Sequence, residues 1–475
     1  MSTTWSYRFR IDERKEKTLL LKLTNQIISE ILNGRLKTGA KLPSSRQLAS
    51  ELKINRKTVQ SVYEDLEAQG WLNAKPRKGT FVSEYFPDIN NKNNLSINTQ
   101  KENIKKQLPI EAFDDGFPDV NLVPYELFSR AYRHALIKIT RNNLIGYGQA
   151  QGNFDLRCEI SKMLSMERFI NTSPNQTCTV RGSQMGIFLS SRVLAKLRPS
   201  TKLVLAVEEL SYPPALEAFQ SNHYEIIKIK IDENGLDTEY LEEILVTQNI
   251  TAVYTTPHHQ YPTTVTMPME RRLKLLELSK KYEFYIIEDD YDHEFHYDSR
   301  PLPPLASLPN SEHVIHIGSL SKVFAPSIRL GYVVGSQKII EFFVQEVVMI
   351  DRQGNMINEL AIAELLQSGE IKRHIRKMRK IYHNRRDFTT AEFKRIFKEK
   401  VTIVSPSGGM ALWVKFNCKL TKKLKDKINN LGFRVDEYYA CNVYESTNFF
   451  HIRFGFASLT EINIQKKINV LNSIF

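Results

Sequence analysis

Apolar residues recur with a helical period near the start of the chain. The first such segment is Thr18–Leu36, and its apolar positions are Leu20, Leu23, Ile27, Ile28 and Ile31. A second helix is predicted after Pro43, and a third between Asn55, its N-cap, and Gly70, which ends it. The stretch WLNAKPRKGTFVS then predicts a hairpin with its turn at Pro76–Gly79.

Beyond about residue 111 the pattern changes. Apolar, strand-like runs alternate with amphipathic helices; the runs are KLVLAVEE, EIIKIKID, ITAVYTTP, EFYIIEDD, HVIHIGSL and RLGYVVG. This alternation predicts an α/β domain with a largely parallel sheet covered on both faces. From about Ile371 the chain becomes helical and very basic, and it ends in a mixed α+β stretch.

The boundary between these regions follows from composition. Residues 88–108 are nearly all Asn, Lys, Gln, Ser and Glu, so they cannot bury enough apolar area to fold alone. The predicted division is a helical and hairpin domain over 1–84, a flexible linker over 85–110, and an α/β domain over 111–475 with a large part at about 145–350 and a small part mainly at 355–475.

Composition narrows the class of protein. The chain has 475 residues, 41% of them apolar and 25% charged, as in soluble proteins of two to three domains. No apolar run is long enough for a membrane helix, and the N-terminus lacks the apolar core of a secretory signal. Four scattered cysteines argue against disulfides and against a metal site, and a cytoplasmic protein is expected.

The net charge of +13 is unevenly distributed. Residues 1–83 hold 16 Lys and Arg against 8 Asp and Glu. A basic segment of this size favours a polyanionic partner, usually nucleic acid, although a basic domain that is merely soluble has the same charge.

Three helices and a basic hairpin in this order describe a winged helix-turn-helix. The start of its third helix would meet base edges in the major groove of double-stranded DNA, where arginine can donate two hydrogen bonds to guanine. The residues there are Asn55, Arg56, Lys57 and Thr58. Arg46 would reach a phosphate, and the hairpin cations Lys75, Arg77 and Lys78 would straddle the backbone or enter the minor groove.

The same residues carry a resemblance. Over Leu42–Val82, LPSSRQLASELKINRKTVQSVYEDLEAQGWL and KGTFV resemble the winged-helix domain of GntR-type transcription regulators. The resemblance implies DNA contacts at Ser44, Arg46, Arg56, Thr58, Lys78 and Gly79. The alternative is a winged helix that contacts only proteins.

A second constellation centres on Lys322, in GSLSK between two strand-like runs. A lysine forms an imine with an aldehyde only when neutral, so a pocket must lower its pKa. The aldehyde cofactor pyridoxal phosphate (PLP) also needs a carboxylate for its ring nitrogen, an anion site for its phosphate and a stacking partner.

The sequence offers a candidate for each need. Asp289 ends a predicted strand, where ligands of α/β sheets bind. The other candidates are Gly182, Ser183, Ser319, Ser321 and Arg329 for the phosphate, Tyr212 for stacking and Tyr291 for the ring hydroxyl. Each motif alone usually has a plainer explanation, such as a helix cap or a solvated turn. Their order and separation together indicate a cofactor site.

This region, over about 111–475, resembles the fold type I aminotransferases. YGQAQGNFDLR matches their Y-x-x-x-x-G-x-x-x-L-R segment, and this resemblance implies that Tyr147 is a phosphate ligand reaching across a dimer interface. The resemblance also implies Lys322 as the Schiff-base lysine, Asp289 as the ring-nitrogen partner and Arg329 as a phosphate ligand. The family's N-P-T-G is replaced by Y-P-T-T at Tyr261–Thr264, so His259 or Gln260 would take over the contact of the missing asparagine.

The whole chain resembles the MocR/GabR subfamily, a GntR-type winged helix joined to a PLP-binding, aminotransferase-like sensor domain. The strings IIEDDYDHEF, TPHHQYP and GSLSK are closer to it than to free aminotransferases. The resemblance implies a homodimer with a head-to-tail arrangement.

The effector is left open. The arginines that bind γ-aminobutyrate in one branch are replaced by Pro214 and Ser458. Arg453 matches the position where aminotransferases hold an α-carboxylate, so an α-amino acid is one interpretation; PLP itself as the effector is another. A salt bridge within the small domain is the plain alternative for Arg453.

Three functions follow. The first is a PLP-dependent transcription regulator that senses an amine, an amino acid or PLP. The second is an active aminotransferase carrying a DNA-binding module, and residual transaminase activity fits either. The third is a structural protein without PLP. The basic run Lys372–Arg386 is either a solvated helix face or an additional DNA contact.

Overall fold

A computed structural model describes residues 19–84, 117–142, 146–199, 202–298, 300–431, 433 and 449–475. The chain divides into two compact units, Met1–Gln107 and Leu108–Phe475. The predicted linker over 85–110 lies outside the described residues.

The first unit is the predicted winged helix. Its elements are α1 (Leu19–Leu32), α2 (Ser45–Leu52), α3 (Arg56–Ala68), β1 (Leu72–Lys75) and β2 (Gly79–Val82). The apolar stripes of the three helices meet in one core, in which Leu23, Leu48 and Val59 are completely buried. The helix α1 ends four residues earlier than predicted, just before Gly34, which adopts a left-handed backbone with φ of +69°.

The second unit is built on a seven-stranded sheet. Its strands lie in the order β3-β11-β10-β9-β8-β4-β5, and only β11 runs antiparallel to its neighbours. The strand bounds are β3 (Thr177–Val180), β4 (Val204–Glu208), β5 (Glu225–Ile229), β8 (Ala252–Thr255), β9 (Tyr285–Asp290), β10 (Val314–Ser319) and β11 (Gly331–Val334), with β6 (Ile231–Asp232) and β7 (Gly235–Leu236) forming a separate small ribbon. The largely parallel sheet is confirmed.

The helices of this unit cover both faces of that sheet. Their bounds are α4 (Tyr125–Arg141), α5 (Phe154–Arg168), α6 (Ser183–Leu197), α7 (Pro213–Gln220), α8 (Thr238–Thr247), α9 (Met269–Tyr282), α10 (Gln337–Ile350), α11 (Met356–Gln367), α12 (Glu370–Phe397), α13 (Lys422–Asn430) and α14 (Glu461–Asn472). Successive strand residues point to opposite faces. Ile287 therefore packs with α6, α7 and α10, while Ile286 packs with α8 and α9. None of the described helices has the length and apolar character needed to cross a membrane.

A smaller layer follows the long basic helix α12. Three antiparallel strands, β12 (Val401–Ile403), β13 (Ala411–Phe416) and β14 (Phe450–Gly455), form its sheet. Phe393 and Phe397 of α12 pack on this sheet in one apolar cluster. Because β14 carries Arg453, this layer brings a cation to the edge of the large sheet.

Candidate functional site

A cavity of about 330 Å³ opens at the carboxyl ends of the parallel strands. Six sequence candidates line it: Ser183, Tyr212, Asp289, Tyr291, Lys322 and Arg453. The lining is completed by Phe117, Tyr254, Thr256, Tyr261 and Pro326. The fold thus gathers into one cavity candidates that are up to 270 positions apart along the chain.

Asp289 is buried next to the end of β9. Its Oδ2 accepts a hydrogen bond from the Tyr254 hydroxyl at 2.8 Å, and its Oδ1 has no hydrogen-bond partner among the described residues. Burial raises the pKa of Asp289 to about 7, whereas the Tyr254 hydrogen bond and the Lys322 charge lower it. This buried oxygen belongs to a carboxylate that lines the cavity, and it has no partner among the described residues. It therefore suits a ligand that donates a hydrogen bond.

Lys322 follows β10, and its Nζ lies 6.0 Å from the centre of the Phe117 ring. The two serines before it are buried. The Ser319 hydroxyl accepts a hydrogen bond from the backbone N–H of Ser321 at 3.3 Å, and the Ser321 hydroxyl has no partner among the described residues. Neither serine is among the residues that line the cavity.

The predicted phosphate site lies at the N-terminus of α6. Gly182 caps the helix with φ of +80°, and Ser183 is its first residue. The Arg329 guanidinium lies so close that a Cβ at Gly182 would stand 2.9 Å from its Nη2. Backbone N–H groups at a helix start, beside an arginine, are the usual means of holding a phosphate.

Tyr291 and His259 are connected, but only one of them reaches the cavity. The Tyr291 hydroxyl donates to the His259 carbonyl oxygen at 3.0 Å. The His259 ring is buried against Asp292, with Nδ1 and Oδ1 2.7 Å apart, and does not line the cavity. Gln260 also turns inward, where its amide donates to Glu208 and to the Leu210 carbonyl oxygen.

Arg453 sits against an aromatic wall. Its guanidinium carbon lies 4.8 Å from the centre of the Tyr261 ring, and Tyr261 meets Tyr212 edge-on at 5.3 Å. The Nη1 of Arg453 donates to the Pro262 carbonyl oxygen at 2.8 Å, and its Nη2 lies 3.5 Å from the Tyr291 hydroxyl. One cation is therefore held at the aromatic end of the cavity.

Tyr147 is not among the residues that line the cavity. Its side chain is 81% exposed, and the Arg352 guanidinium lies 5.2 Å from the centre of its ring. Arg157, from the same sequence motif, is buried and ties down the loop, donating to the Gly152 carbonyl oxygen at 3.1 Å and to Gln149 at 2.6 Å.

The DNA-binding candidates lie in the first unit. Ser44 caps α2 by accepting a hydrogen bond from Gln47 N at 3.2 Å, and Asn55 caps α3 by accepting one from Lys57 N at 2.8 Å. These two side chains therefore position the helices. The side chains of Arg46, Arg56, Lys57, Lys75, Arg77 and Lys78 are exposed, as is Gly79, whereas Thr58 is half-buried. None of these cations forms an ion pair within the described winged helix.

Comparison with known proteins gives two family matches. A model described as aminotransferase class I and II matches residues 120–471, and one described as bacterial regulatory proteins, gntR family, matches residues 21–82.

The chain belongs to the aminotransferase class I and II family. Its GntR segment makes it a member that also carries a DNA-binding domain, which is the organisation of the MocR/GabR regulators.

The chain is similar over nearly its whole length to proteins named as regulators, and over most of its length to an aminotransferase of known structure. The uncharacterized HTH-type transcriptional regulator YhdI of Bacillus subtilis is 27% identical, over 98% of this chain and 97% of that protein. The probable rhizopine catabolism regulatory protein MocR of Rhizobium meliloti is 26% identical over 98% and 95%. The crystal structure of Pyrococcus horikoshii kynurenine aminotransferase, in complex with pyridoxamine phosphate (PMP), is 28% identical, with a TM-score of 0.68, over 78% of this chain and 91% of that one.

PLP is the cofactor of this family, and the residues of the aminotransferase-like domain fit it. The partnerless Oδ1 of Asp289 suits a protonated ring nitrogen, and the helix start at Gly182, beside Arg329, suits a phosphate. Lys322 lines the same cavity as Asp289 and would supply the amine. When bound, PLP supplies an aldehyde that reacts with amines and a ring that withdraws electrons from them.

Several lining residues were missed from the sequence. Tyr254 lies inside the apolar run of β8, where an aromatic residue normally indicates core packing. The signal that could have found it is strand adjacency: Tyr254 pairs with Ile287, which points to the same face of the sheet as Asp289. Tyr261 stood in the expected place of the family's asparagine, but its contact with Arg453 depends on the small layer and has no local sequence signal.

Proposed function

We propose that this protein is a DNA-binding transcription regulator whose aminotransferase-like domain holds PLP through Lys322 and senses an amine, an amino acid or PLP itself. The proposal depends on one observation, that two kinds of site occur in one chain. They are a cavity lined by Lys322 and Asp289 and an exposed cationic helix start at Arg56. The chain is similar to an HTH-type regulator over 98% of its length.

Each part of the cofactor has a proposed partner. Asp289 would hold the ring nitrogen. The Tyr291 hydroxyl, which donates to the His259 carbonyl oxygen, would donate to the ring hydroxyl instead once the cofactor is bound. Tyr212 would stack on the ring. The phosphate would lie at Gly182 and Ser183 with Ser319, Ser321 and Arg329. The buried position of Asp289 supports its role. Burial raises the pKa of Asp289, and the positive charge of a protonated ring nitrogen would lower it again and stabilise the carboxylate.

The ligand side of the cavity favours an α-amino acid as effector. Arg453 would bind the carboxylate, while the rings of Phe117, Tyr212 and Tyr261 would contact the side chain. PLP itself remains the second candidate effector. It is supported by 28% identity, over 77% of this chain, to the pyridoxine biosynthesis transcriptional regulator PdxR of Corynebacterium glutamicum.

A head-to-tail homodimer is proposed as the working form. Tyr147 is exposed in one chain, so it is free to reach the phosphate of another. The exposed apolar side chains of Met349 and Ile350 precede Arg352, which contacts Tyr147, and burying them would favour association. Cytoplasmic localisation is part of the same proposal.

On DNA, the proposed base contacts come from Arg56, Lys57 and Thr58 at the start of α3. Arg46 would contact a phosphate, and the hairpin residues Lys75, Arg77, Lys78 and Gly79 would straddle the backbone or enter the minor groove. Ser44 and Asn55 would act by fixing the two helix starts that carry these cations.

The proposal is tested by adding PLP and a panel of amines and amino acids to the purified protein, while absorbance and operator binding are measured together. We expect a cofactor absorbance band and a change in operator affinity with PLP or with at least one amine. An operator footprint that none of them alters would refute the proposal.

A second candidate is a working aminotransferase with an attached DNA-binding domain. It is supported by the presence of Lys322 and Asp289 in one cavity and by the 28% identity to the kynurenine aminotransferase structure. Steady-state turnover between an amino acid and a 2-oxoacid, with no effect of either on DNA binding, would favour it.

A further inference from the structure

Glu208 is a buried carboxylate for which the proposed function has no role. It is the last residue of β4 and is 1% exposed. Its Oε1 accepts a hydrogen bond from the Thr255 hydroxyl at 2.8 Å, and its Oε2 accepts one from the Gln260 amide at 3.2 Å. Burial raises the pKa of Glu208 to about 7, and these hydrogen bonds lower it. A buried carboxylate is stable only while its hydrogen bonds are kept, and its donors are held in place by the same bonds.

Gln260 connects Glu208 to the loop that follows β8. Nε2 of Gln260 also lies 2.6 and 2.7 Å from the Leu210 and Tyr261 carbonyl oxygens, so its two N–H groups are shared among these two acceptors and Glu208. Its Oε1 accepts hydrogen bonds from the backbone N–H and the hydroxyl of Thr263 at 3.1 and 2.6 Å. One buried amide thus fixes the loop on both sides of Tyr261.

The loop needs this support because Thr264 has a left-handed backbone, with φ of +65°. A β-branched residue rarely adopts this conformation, and it persists only where the surroundings enforce it. The Thr264 N–H donates to the Gln260 carbonyl oxygen at 2.7 Å. Gln260 therefore restrains the strained residue as well.

The other side of this loop is the ligand wall of the cavity. The Tyr261 ring lies beneath the Arg453 guanidinium, and the Pro262 carbonyl oxygen accepts from Arg453 Nη1 at 2.8 Å. We propose that Glu208 is a positioning residue that acts through Gln260 to hold Tyr261 and Pro262 where they seat Arg453 for the carboxylate of an amino acid. This inference rests on the proposed function, because it deepens the role of Arg453.

The test uses the full-length protein loaded with PLP and two probes that differ only in a carboxylate, L-phenylalanine and 2-phenylethylamine. Both are titrated while the cofactor absorbance is followed. We expect the wild type to bind L-phenylalanine more tightly. Glu208→Ala should weaken L-phenylalanine binding roughly ten-fold, the effect of losing a hydrogen bond to a charged group, while 2-phenylethylamine changes less than about two-fold.

Two further variants separate positioning from general damage. Glu208→Gln keeps an acceptor of the same size and should restore most of the affinity for L-phenylalanine. Gln260→Leu keeps the volume and removes the amide, so it should reproduce the selective loss. If Glu208 acts through Gln260, the double variant Glu208→Ala with Gln260→Leu should lose no more affinity for L-phenylalanine than the more affected single variant. If Glu208→Ala does not fold, Glu208→Gln and Gln260→Leu carry the test.

Three results would overturn the inference: equal losses for both probes, unchanged binding of L-phenylalanine in the variants, or a wild type that does not prefer the carboxylate-bearing probe. The proposed regulator function fails on a different measurement, the response of operator binding in the wild type. The two outcomes are therefore distinguishable.

Discussion

The Tyr254 hydroxyl donates a hydrogen bond to Asp289 Oδ2 at 2.8 Å, and both side chains are buried. This bond favours the ionised carboxylate, whereas burial raises its pKa to about 7. Tyr254→Phe should therefore raise the pKa further and weaken PLP binding by about ten-fold near pH 7, since a hydrogen bond to a charged group contributes about 1.5–3 kcal/mol.

The pH dependence identifies the cause of this effect. Because the raised pKa leaves more Asp289 protonated at low pH, the loss in PLP affinity should be greatest near pH 6 and shrink toward pH 9. PLP titrations followed by absorbance measure it. Tyr224→Phe is the control, since Tyr224 is buried and donates to the Ser191 carbonyl oxygen, away from the cavity. A loss that is equal at every pH would contradict the argument.

The buried Asp289 should also destabilise the cofactor-free protein at high pH. Its pKa rises from 3.8 when exposed to about 7 when folded. The folded state therefore holds its proton more tightly, and the free energy of unfolding falls as the pH rises from about 4 to about 7. The change reaches about 4 kcal/mol for three pKa units. Asp289→Asn removes this contribution, so its unfolding temperature relative to that of the wild type should be higher at pH 8 than at pH 5, and higher at pH 5 than at pH 3.5. An equal difference at all these pH values would contradict the prediction.

Lys322→Ala should abolish the covalent attachment of PLP. The absorbance band of the lysine-bound cofactor should disappear, and PLP should be removed by gel filtration, while Asp289 and Arg329 still bind it reversibly. Lys338→Ala is a matched control, because Lys338 is an exposed lysine at the start of α10. A band that survives in Lys322→Ala would assign the attachment to another lysine.

Local chemistry in the sequence predicts two residues that line the cavity. Asp289 is predicted because an acidic residue ends an apolar run, and Lys322 because it follows one. Tyr254 and Glu208 were missed because the contacts on which their proposed roles depend lie across the sheet, not along the chain. His259 was predicted at the cofactor from its place in the loop, but its ring pairs with Asp292, which lies 33 residues further along the chain. Such pairings depend on the packing of distant segments.

We expect Arg56, at the start of α3, to contribute to the sequence specificity of DNA binding. Arg56→Ala should weaken binding to the operator by about 1–3 kcal/mol and relax the preference for one base pair, because a bidentate contact to guanine discriminates by that amount. Binding measured with a set of single-base operator variants checks this. Lys22→Ala, on α1, is the control for the loss of one charge. An equal loss on every operator variant would make Arg56 a phosphate contact.

Only some of the cations in the basic run of α12 are exposed to solvent. Arg385 is buried and donates to Asp119 at 2.8 Å, and Arg386 is buried and paired with Asp298. Lys372 pairs with Glu167 at 2.7 Å. Among the described residues, the exposed cations of this run that form no ion pair are Arg376, Lys377 and Lys380. They are spaced so that they share one face of the helix.

That face belongs to a strongly basic region, since residues 370–431 hold 18 Lys and Arg against 5 Asp and Glu. If it binds DNA, Arg376→Glu with Lys377→Glu should weaken operator binding and reduce the slope of log affinity against log salt by about 0.9 for each phosphate that the protein no longer neutralises. Lys228→Glu with Lys338→Glu changes the net charge equally on other exposed segments and serves as the control. A cation that binds a phosphate releases counterions from DNA, and a general change in net charge does not. An unchanged slope, or the same change in both double variants, would therefore show that this face of α12 is a solvated surface.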